Sequence, residues 1–274
     1  MVENPTAAAN TGQDSIASMV QVKLRKNTIL SNIFMDVSSF ATEGDKSISF
    51  PYWSNSFSVQ KLTGAQKGDD QEANFELDQL NLSEEAHIQW AIKKFDQARA
   101  KVPILMSAIE EATKQHAIGL DADLYTALEA SVVAGNTVSA GALTQDKIVD
   151  MITLANTKRI PRSERAFIFS NDSFGTLLKI DGFVDASKSN LDIVRNGQIG
   201  TLYGIPCFES DEVASGSRYL VHKSSVAYGF GAAPSLEDES VITLGTGSRR
   251  WVMDQLYGVK AMQGGALVIK QADA

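Results

Sequence analysis

Residues 47–92 limit the fold more than any other part of the chain. Ile48, Phe50 and Tyr52 alternate with Ser47, Ser49 and Pro51, while Ala86, Ile88, Trp90 and Ile92 alternate with Glu85, His87, Gln89 and Lys93. A period of two sends alternate side chains to opposite faces, so both stretches read as half-buried strands. Pro51 has no N–H to give a ladder, which predicts an edge position for its strand. Between them, Phe57 with Val59 and Phe75 with Leu77 flank the turn-rich GAQKGDDQ at 64–71. That describes a long antiparallel hairpin with a Gly-punctuated acidic tip, too long and too polar to pack wholly on a core. Strands left exposed in this way invite aggregation unless another chain covers them.

Periodicity elsewhere supplies the frame. Residues 5–20 are small and polar and read as a loose arm. After Pro103, which suits a first helical position, Leu105, Ile109, Ala112 and His116 recur at spacings of three to four. They predict one helix of about 25 residues, only weakly interrupted by Gly119. Residues 130–142 have a linker's composition. Thr144 and Asp146 open a helix striped by Ile148, Met151, Ile152 and Ala155 and ended by Pro161. Residues 166–169 (AFIF) form a short buried strand. A helix follows, with Asn171 as cap, Phe174, Leu177 and Leu178 on one face, and Gly182 as stop. IPCF at 205–208 is a further strand. Three more strands are expected at VITL (241–244), RRWVMDQLYGVKAM (249–262) and ALVIK (266–270). The fold class is α+β.

Composition excludes several classes. At 274 residues one or two domains can bury a core without staples, and the lone Cys207 permits no intrachain disulfide. The longest uncharged run, 130–145, is rich in Gly, Ser, Thr and Asn, so no membrane span is expected. The start MVENPTAAANTGQD has an acid at Glu3 and no apolar stretch, which argues against a secretory signal and for a protein that stays in the cytoplasm. A net charge of -8 is wrong for a dedicated DNA-binding module. Residues 43–85 carry three bases against nine acids, whereas 86–120 has a net charge of +2.

The search for chemistry is mostly negative. His87, His116 and His222 form no metal-ligand spacing, and His116 near Asp121 and Asp123 is expected to be merely solvated. Gly245-Thr246-Gly247-Ser248 lacks the second glycine of a nucleophile elbow, because Arg249 follows, and reads as a turn. Gly197, Gly200 and Gly204 are misplaced for a nucleotide loop. Cys207, inside an apolar run, is expected to be a small core residue. Asn81 and Asn171 match the glycosylation pattern, which means nothing without a signal peptide. No catalytic residue, metal or cofactor is expected.

The segment 159–213, RIPRSERAFIFSNDSFGTLLKIDGFVDASKSNLDIVRNGQIGTLYGIPCFESDEV, resembles the central part of tailed-bacteriophage major capsid proteins. In that family an apolar strand leads to a serine and an acid opening a helix, a variable loop, and a Gly-x-x-x-Gly-Ile-Pro turn. Here that turn is Gly200, Gly204, Ile205 and Pro206. The order of the surrounding parts is also similar. The resemblance implies the Hong Kong phage-type capsid fold, with an N-terminal arm (1–42), an extended loop (43–85), a peripheral domain holding a long spine helix (86–140 and 236–274) and an axial domain (141–235).

It further implies a non-enzymatic structural subunit that forms hexamers and pentamers of an icosahedral shell around double-stranded DNA. Such a subunit would belong to the virion and assemble in the host cytoplasm with a portal protein and decoration proteins. No long charged helical extension precedes the arm, so a separate scaffolding protein is implied. Some members crosslink neighbours through a Lys and an Asn with a catalytic Glu. Lys61 and Lys67 lie in the loop, but the acceptor and acid match no positions here, and that chemistry is not carried over. A cellular nanocompartment of the same fold and a soluble enzyme are the competing classes.

If the tip reaches a neighbouring subunit, Asp69 and Asp70 should meet bases there, with Arg249 and Arg250 as candidates. A shell of acidic subunits around DNA also needs bases on its inner surface. Lys23, Arg25 and Lys26 are the first candidates, ahead of Lys93, Lys94, Arg99 and Lys101.

Overall fold

The computed structural model describes residues 28–273 apart from 43, 54–56, 64–66, 73, 95–103, 178, 180–197 and 245–246. Among the described residues the α-helices are α1 (Leu30–Ile33), α2 (Ile104–Ala130), α3 (Gln145–Thr157) and α4 (Asn171–Leu177). The strands are β1 (Met35–Asp36), β2 (Ser47–Trp53), β3 (Phe75–Asn81), β4 (Glu84–Ile92), β5 (Arg165–Phe169), β6 (Gln198–Leu202), β7 (Ile205–Glu209), β8 (Ser217–His222), β9 (Val226–Ser240), β10 (Arg249–Ala261) and β11 (Val268–Ala272). They form a four-stranded sheet in the order β1-β9-β10-β4, a five-stranded sheet β11-β8-β5-β7-β6, and the two-stranded ribbon β2-β3.

The long helix is the joint between the two larger sheets. Ala112, His116, Leu120, Leu124 and Leu128 recur every fourth residue, which places them on one face, and all five are buried. The lower part of that face packs with Tyr228 and Tyr257 of the four-stranded sheet and Ile168, Tyr219 and Val221 of the five-stranded sheet. β5 is buried along its whole length because it serves two cores. Ala166 and Ile168 face the α2 side, and Phe167 and Phe169 face a second cluster with Ile148, Met151 and Ala155 of α3. A strand covered on both faces carries an uninterrupted apolar run, and AFIF is that run. α3 begins where expected, with the Thr144 side chain accepting the Lys147 N–H at 3.4 Å.

Several expectations are corrected. Ile242–Leu244 is a short 3-10 helix, since this segment lies in the connection between antiparallel β9 and β10 and must reverse the chain. The Ser170 hydroxyl, not Asn171, caps α4 by accepting the Ser173 N–H at 3.4 Å, and Asn171 is already helical. Gly182 lies outside the described residues. The 130–142 linker is docked: Val138 donates its N–H to the Lys270 carbonyl at 2.9 Å, and Gly141 donates to Ala272 at 3.0 Å, which covers the edge of β11.

The first residues described are also more than an arm. Ile29, Leu30, Ile33 and Phe34 are buried beneath α2, and the Asp121 carboxylate accepts the N–H groups of Ile29 (2.6 Å), Leu30 (3.1 Å) and Ser31 (3.1 Å). Residues 5–20, read as a loose arm, lie outside the described residues.

Candidate assembly surface

The β2-β3 ribbon is fixed at its base and exposed toward its far end. Its register pairs Ser47 with Asn81 through to Trp53 with Phe75, so Pro51 faces Leu77, and among the described residues β2 pairs with no strand but β3. Pro51 thus occupies an edge strand, as its missing N–H requires. On one face Ile48 and Leu80 enter a small core with Val37, Leu82, Ala227 and Met262. Fully burying a side chain of this kind contributes about 1.5–3 kcal/mol, so the base is firmly held. Asp78 adds polar fixings. It forms an ion pair with Lys260 and accepts the Gln263 N–H at 3.0 Å, while Lys260 also donates to the Gln79 carbonyl at 2.9 Å. The sheet and ribbon meet so closely at Gly258 that a Cβ there would lie 2.0 Å from the Asn81 carbonyl oxygen.

Beyond that base, apolar side chains face solvent. Leu77 is 69% exposed, Phe75 58%, Phe57 54% and Val59 90%. The other alternating stretch, residues 86–92, lies in β4, outside the ribbon. It pairs antiparallel with β10, Trp90 opposite Trp251, leaving the ribbon to project alone.

Over 57–63 and 67–72 the two segments are not strands, yet they stay in register through two glutamines. Gln71 accepts the Ser58 N–H and donates to the Ser58 carbonyl, both at 2.7 Å. Gln60 accepts the Asp69 N–H at 2.7 Å and donates to its carbonyl at 3.0 Å. Each side-chain amide imitates a backbone unit, a device that sequence reasoning missed. Lys61, Lys67, Asp69 and Asp70 are exposed on this tip. Lower down, the Tyr52 hydroxyl donates to Glu76 at 2.5 Å, and this bond holds the phenol above its ordinary range.

Arg249 and Arg250 lie across the sheet from acids of their own chain. Arg249 forms an ion pair with Asp238, and Arg250 with Glu239 at 2.8 Å. The structure does not bring them to Asp69 or Asp70 within one chain. Lys93 and Lys94 are exposed, whereas Lys23, Arg25, Lys26, Arg99 and Lys101 lie outside the described residues.

The residues screened for chemistry have structural places. Cys207 is fully buried, as expected, and burial pushes its thiol up to about 12. His116 is a correction. It is 8% exposed rather than solvated, because its helix face packs on the sheet, and its Nε2 lies 3.3 Å from the Met253 carbonyl. Among the described residues no three His, Cys, Asp or Glu side chains group as a metal site, and no helix is long and apolar enough to cross a membrane.

No family model and no curated protein matches the chain by sequence. Solved structures do match by shape. A structure from Mycobacterium phage Che8 is 16% identical with a TM-score of 0.72, over 94% of this chain and 96% of that one. The capsid structure of cyanophage P-SCSP1u is 13% identical with a TM-score of 0.73, over 97% and 94%. The capsid of a native GTA particle is 13% identical with a TM-score of 0.73, over 99% of both chains. Over nearly its whole length, therefore, this chain has the α+β fold of phage capsid structures, the fold its sequence led us to expect.

Proposed function

We propose that this chain is the major capsid subunit of a tailed bacteriophage, a non-enzymatic structural protein that self-associates into hexamers and pentamers of a closed shell around double-stranded DNA. The observation that carries this reading is the β2-β3 ribbon. It is rooted in a core yet leaves Leu77, Phe75, Phe57 and Val59 in solvent. Apolar area of this kind is stabilised only when another surface covers it, and a heterologous contact repeated around a ring supplies that surface from the next copy.

In this reading the chain divides as the sequence suggested into arm, extended loop, peripheral domain and axial domain, with two refinements. Residues 28–42 belong with the folded body, and β9 stays whole with β10 and β4, so the peripheral part begins again near Val226. Asp69 and Asp70 of one copy would approach Arg249 and Arg250 of the next, sharing these arginines with Asp238 and Glu239. Each such exposed pair is worth about 0–1 kcal/mol, so they orient the contact rather than drive it. A separate scaffolding protein, a portal and decoration proteins are the further partners, and contact with packaged DNA is to phosphates.

Electron microscopy of the purified chain, alone and co-expressed with its genomic neighbours, tests the proposal. Closed shells are expected, and deletion of 64–71 should leave a folded subunit that makes none. A chain that stays monomeric at all concentrations overturns the reading, and protein cargo in place of DNA would make the shell a cellular compartment.

A further inference from the structure

Over most of its length the outer edge of β9 pairs with no described residue. β1 occupies that edge at Ala227 and Tyr228 only; Val37 then donates to the Tyr228 carbonyl at 2.9 Å, and the Ser38 hydroxyl accepts the Phe230 N–H at 3.1 Å. Past Phe230 no described residue bonds the outward backbone of β9, and Pro234 to Ser240 are all exposed. An unpaired edge of this length is a template for another strand.

Its two faces differ in a way that selects the strand. Glu237 and Glu239 lie opposite Val252 and Arg250 on the open face of the sheet; on the α2 face Leu236, 43% exposed, lies opposite Met253, beside an Asp238 whose charge is already met by Arg249. Like charges would repel the same edge of a second copy, whereas a strand with bases on one face and apolar groups on the other would be accepted. Residues 20–26, Val-Gln-Val-Lys-Leu-Arg-Lys, carry that pattern: Lys23 and Arg25 alternate with Val22 and Leu24.

We propose that residues 20–26 of a second copy add as a strand to the free edge of β9, with Lys23 and Arg25 beside Glu237 and Glu239 and with Leu24 or Val22 beside Leu236. A second copy is the donor because β1 runs parallel to β9. The described residues that precede β1, 28–34, therefore approach from the Val226 end, away from the open stretch. The proposal rests on the self-association argued above, and it gives these bases a protein partner in place of DNA phosphates.

Backbone hydrogen exchange over Leu236–Ser240 tests it in the full-length chain. Outward-facing amides should exchange at least tenfold more slowly in assembled particles than in dilute subunits. A synthetic peptide of residues 18–28 added to dilute subunits should reproduce that protection. Lys23→Glu, Arg25→Glu and Lys26→Glu together should abolish it, and adding Glu237→Lys and Glu239→Lys to that variant should restore it. Assembled particles whose 236–240 amides exchange as fast as in dilute subunits overturn the proposal. Protection already present in dilute subunits without peptide assigns the edge to the chain's own arm and overturns the second-copy donor. Unchanged protection with lost DNA retention in the triple variant assigns the bases to phosphates and also overturns it. Should the chain form no particles, the assembly reading fails, and the peptide alone decides the strand: protection upholds it and its absence refutes it.

Discussion

The carboxylate of Asp121, 1% exposed on α2, receives the backbone N–H of Ile29 at 2.6 Å and thereby ties the beginning of the folded chain to the middle of its longest helix. Two further N–H groups, from Leu30 and Ser31, end on the same side chain. Asp121→Ala leaves all three buried or half-buried donors without an acceptor, and a loss of about 2–4 kcal/mol is expected. Asp121→Asn, which keeps one acceptor oxygen, should fall between. Urea unfolding midpoints measure the order, and equal midpoints for the alanine variant and the parent would contradict it.

Two glycines should respond in opposite directions to alanine. At Gly258 the new methyl would overlap the Asn81 carbonyl, so the ribbon base must shift, at a cost of about 1–3 kcal/mol. At Gly119, inside α2, nothing lies within 4 Å of the new atom, and alanine should stabilise by about 0.5–1 kcal/mol. Thermal melts of the two variants beside the parent check both signs.

Acid should weaken the subunit in two stages. Burial holds the His222 imidazole below its ordinary value of 6.5, and its Nδ1 accepts the Ser224 N–H at 3.2 Å, which requires the neutral ring. The unfolded chain takes up a proton first, so this contribution is complete above 6.5 and declines as pH falls below it. Burial raises the Glu129 carboxyl, but hydrogen bonds from Lys270 and Tyr219 and the Lys270 charge outweigh it, for a net direction below 4.5. Its contribution is present above 4.5 and is lost as pH falls through the lower folded value. Melting temperature against pH should bend at both places, with Glu129→Gln flattening only the more acidic limb.

Polar replacement of Leu77 and Val59 by serine should barely alter subunit stability, within about 0.5 kcal/mol, because both already face water. Particle yield by sedimentation should drop sharply. A normal yield would remove the ribbon from the contact.

Legibility followed the strength of local signals. The α2 stripe, the Thr144 cap, the doubly buried AFIF strand and the Pro51 edge each rest on chemistry confined to a few neighbouring residues. β9 escaped notice because VAYGFGAAPSLEDES holds two glycines and a proline, a composition that hides a strand set by pairing with β10. Ile242–Leu244 failed the other way, since its β-branched run is strand-like but its place between antiparallel partners is not. His116 reads as solvated among acids in the sequence, and its burial comes from the sheet it faces. At the candidate surface, the exposed ribbon could be read from alternation. The Gln60 and Gln71 amide pairs and the Asp78–Lys260 fixing join residues 9 to 182 positions apart, and no local pattern announces them.

β10 runs for thirteen residues from Arg249 to Ala261, meeting the ribbon base at its end and the connection from β9 at its start. A pull between those two places acts along the strand axis. The hydrogen bonds from β10 to β9 and β4 then bear it in shear, all together, instead of opening one after another as a zipper does. Tension entering through Lys260 and Asp78 is spread over the whole sheet, which makes the four-stranded sheet a tie-beam.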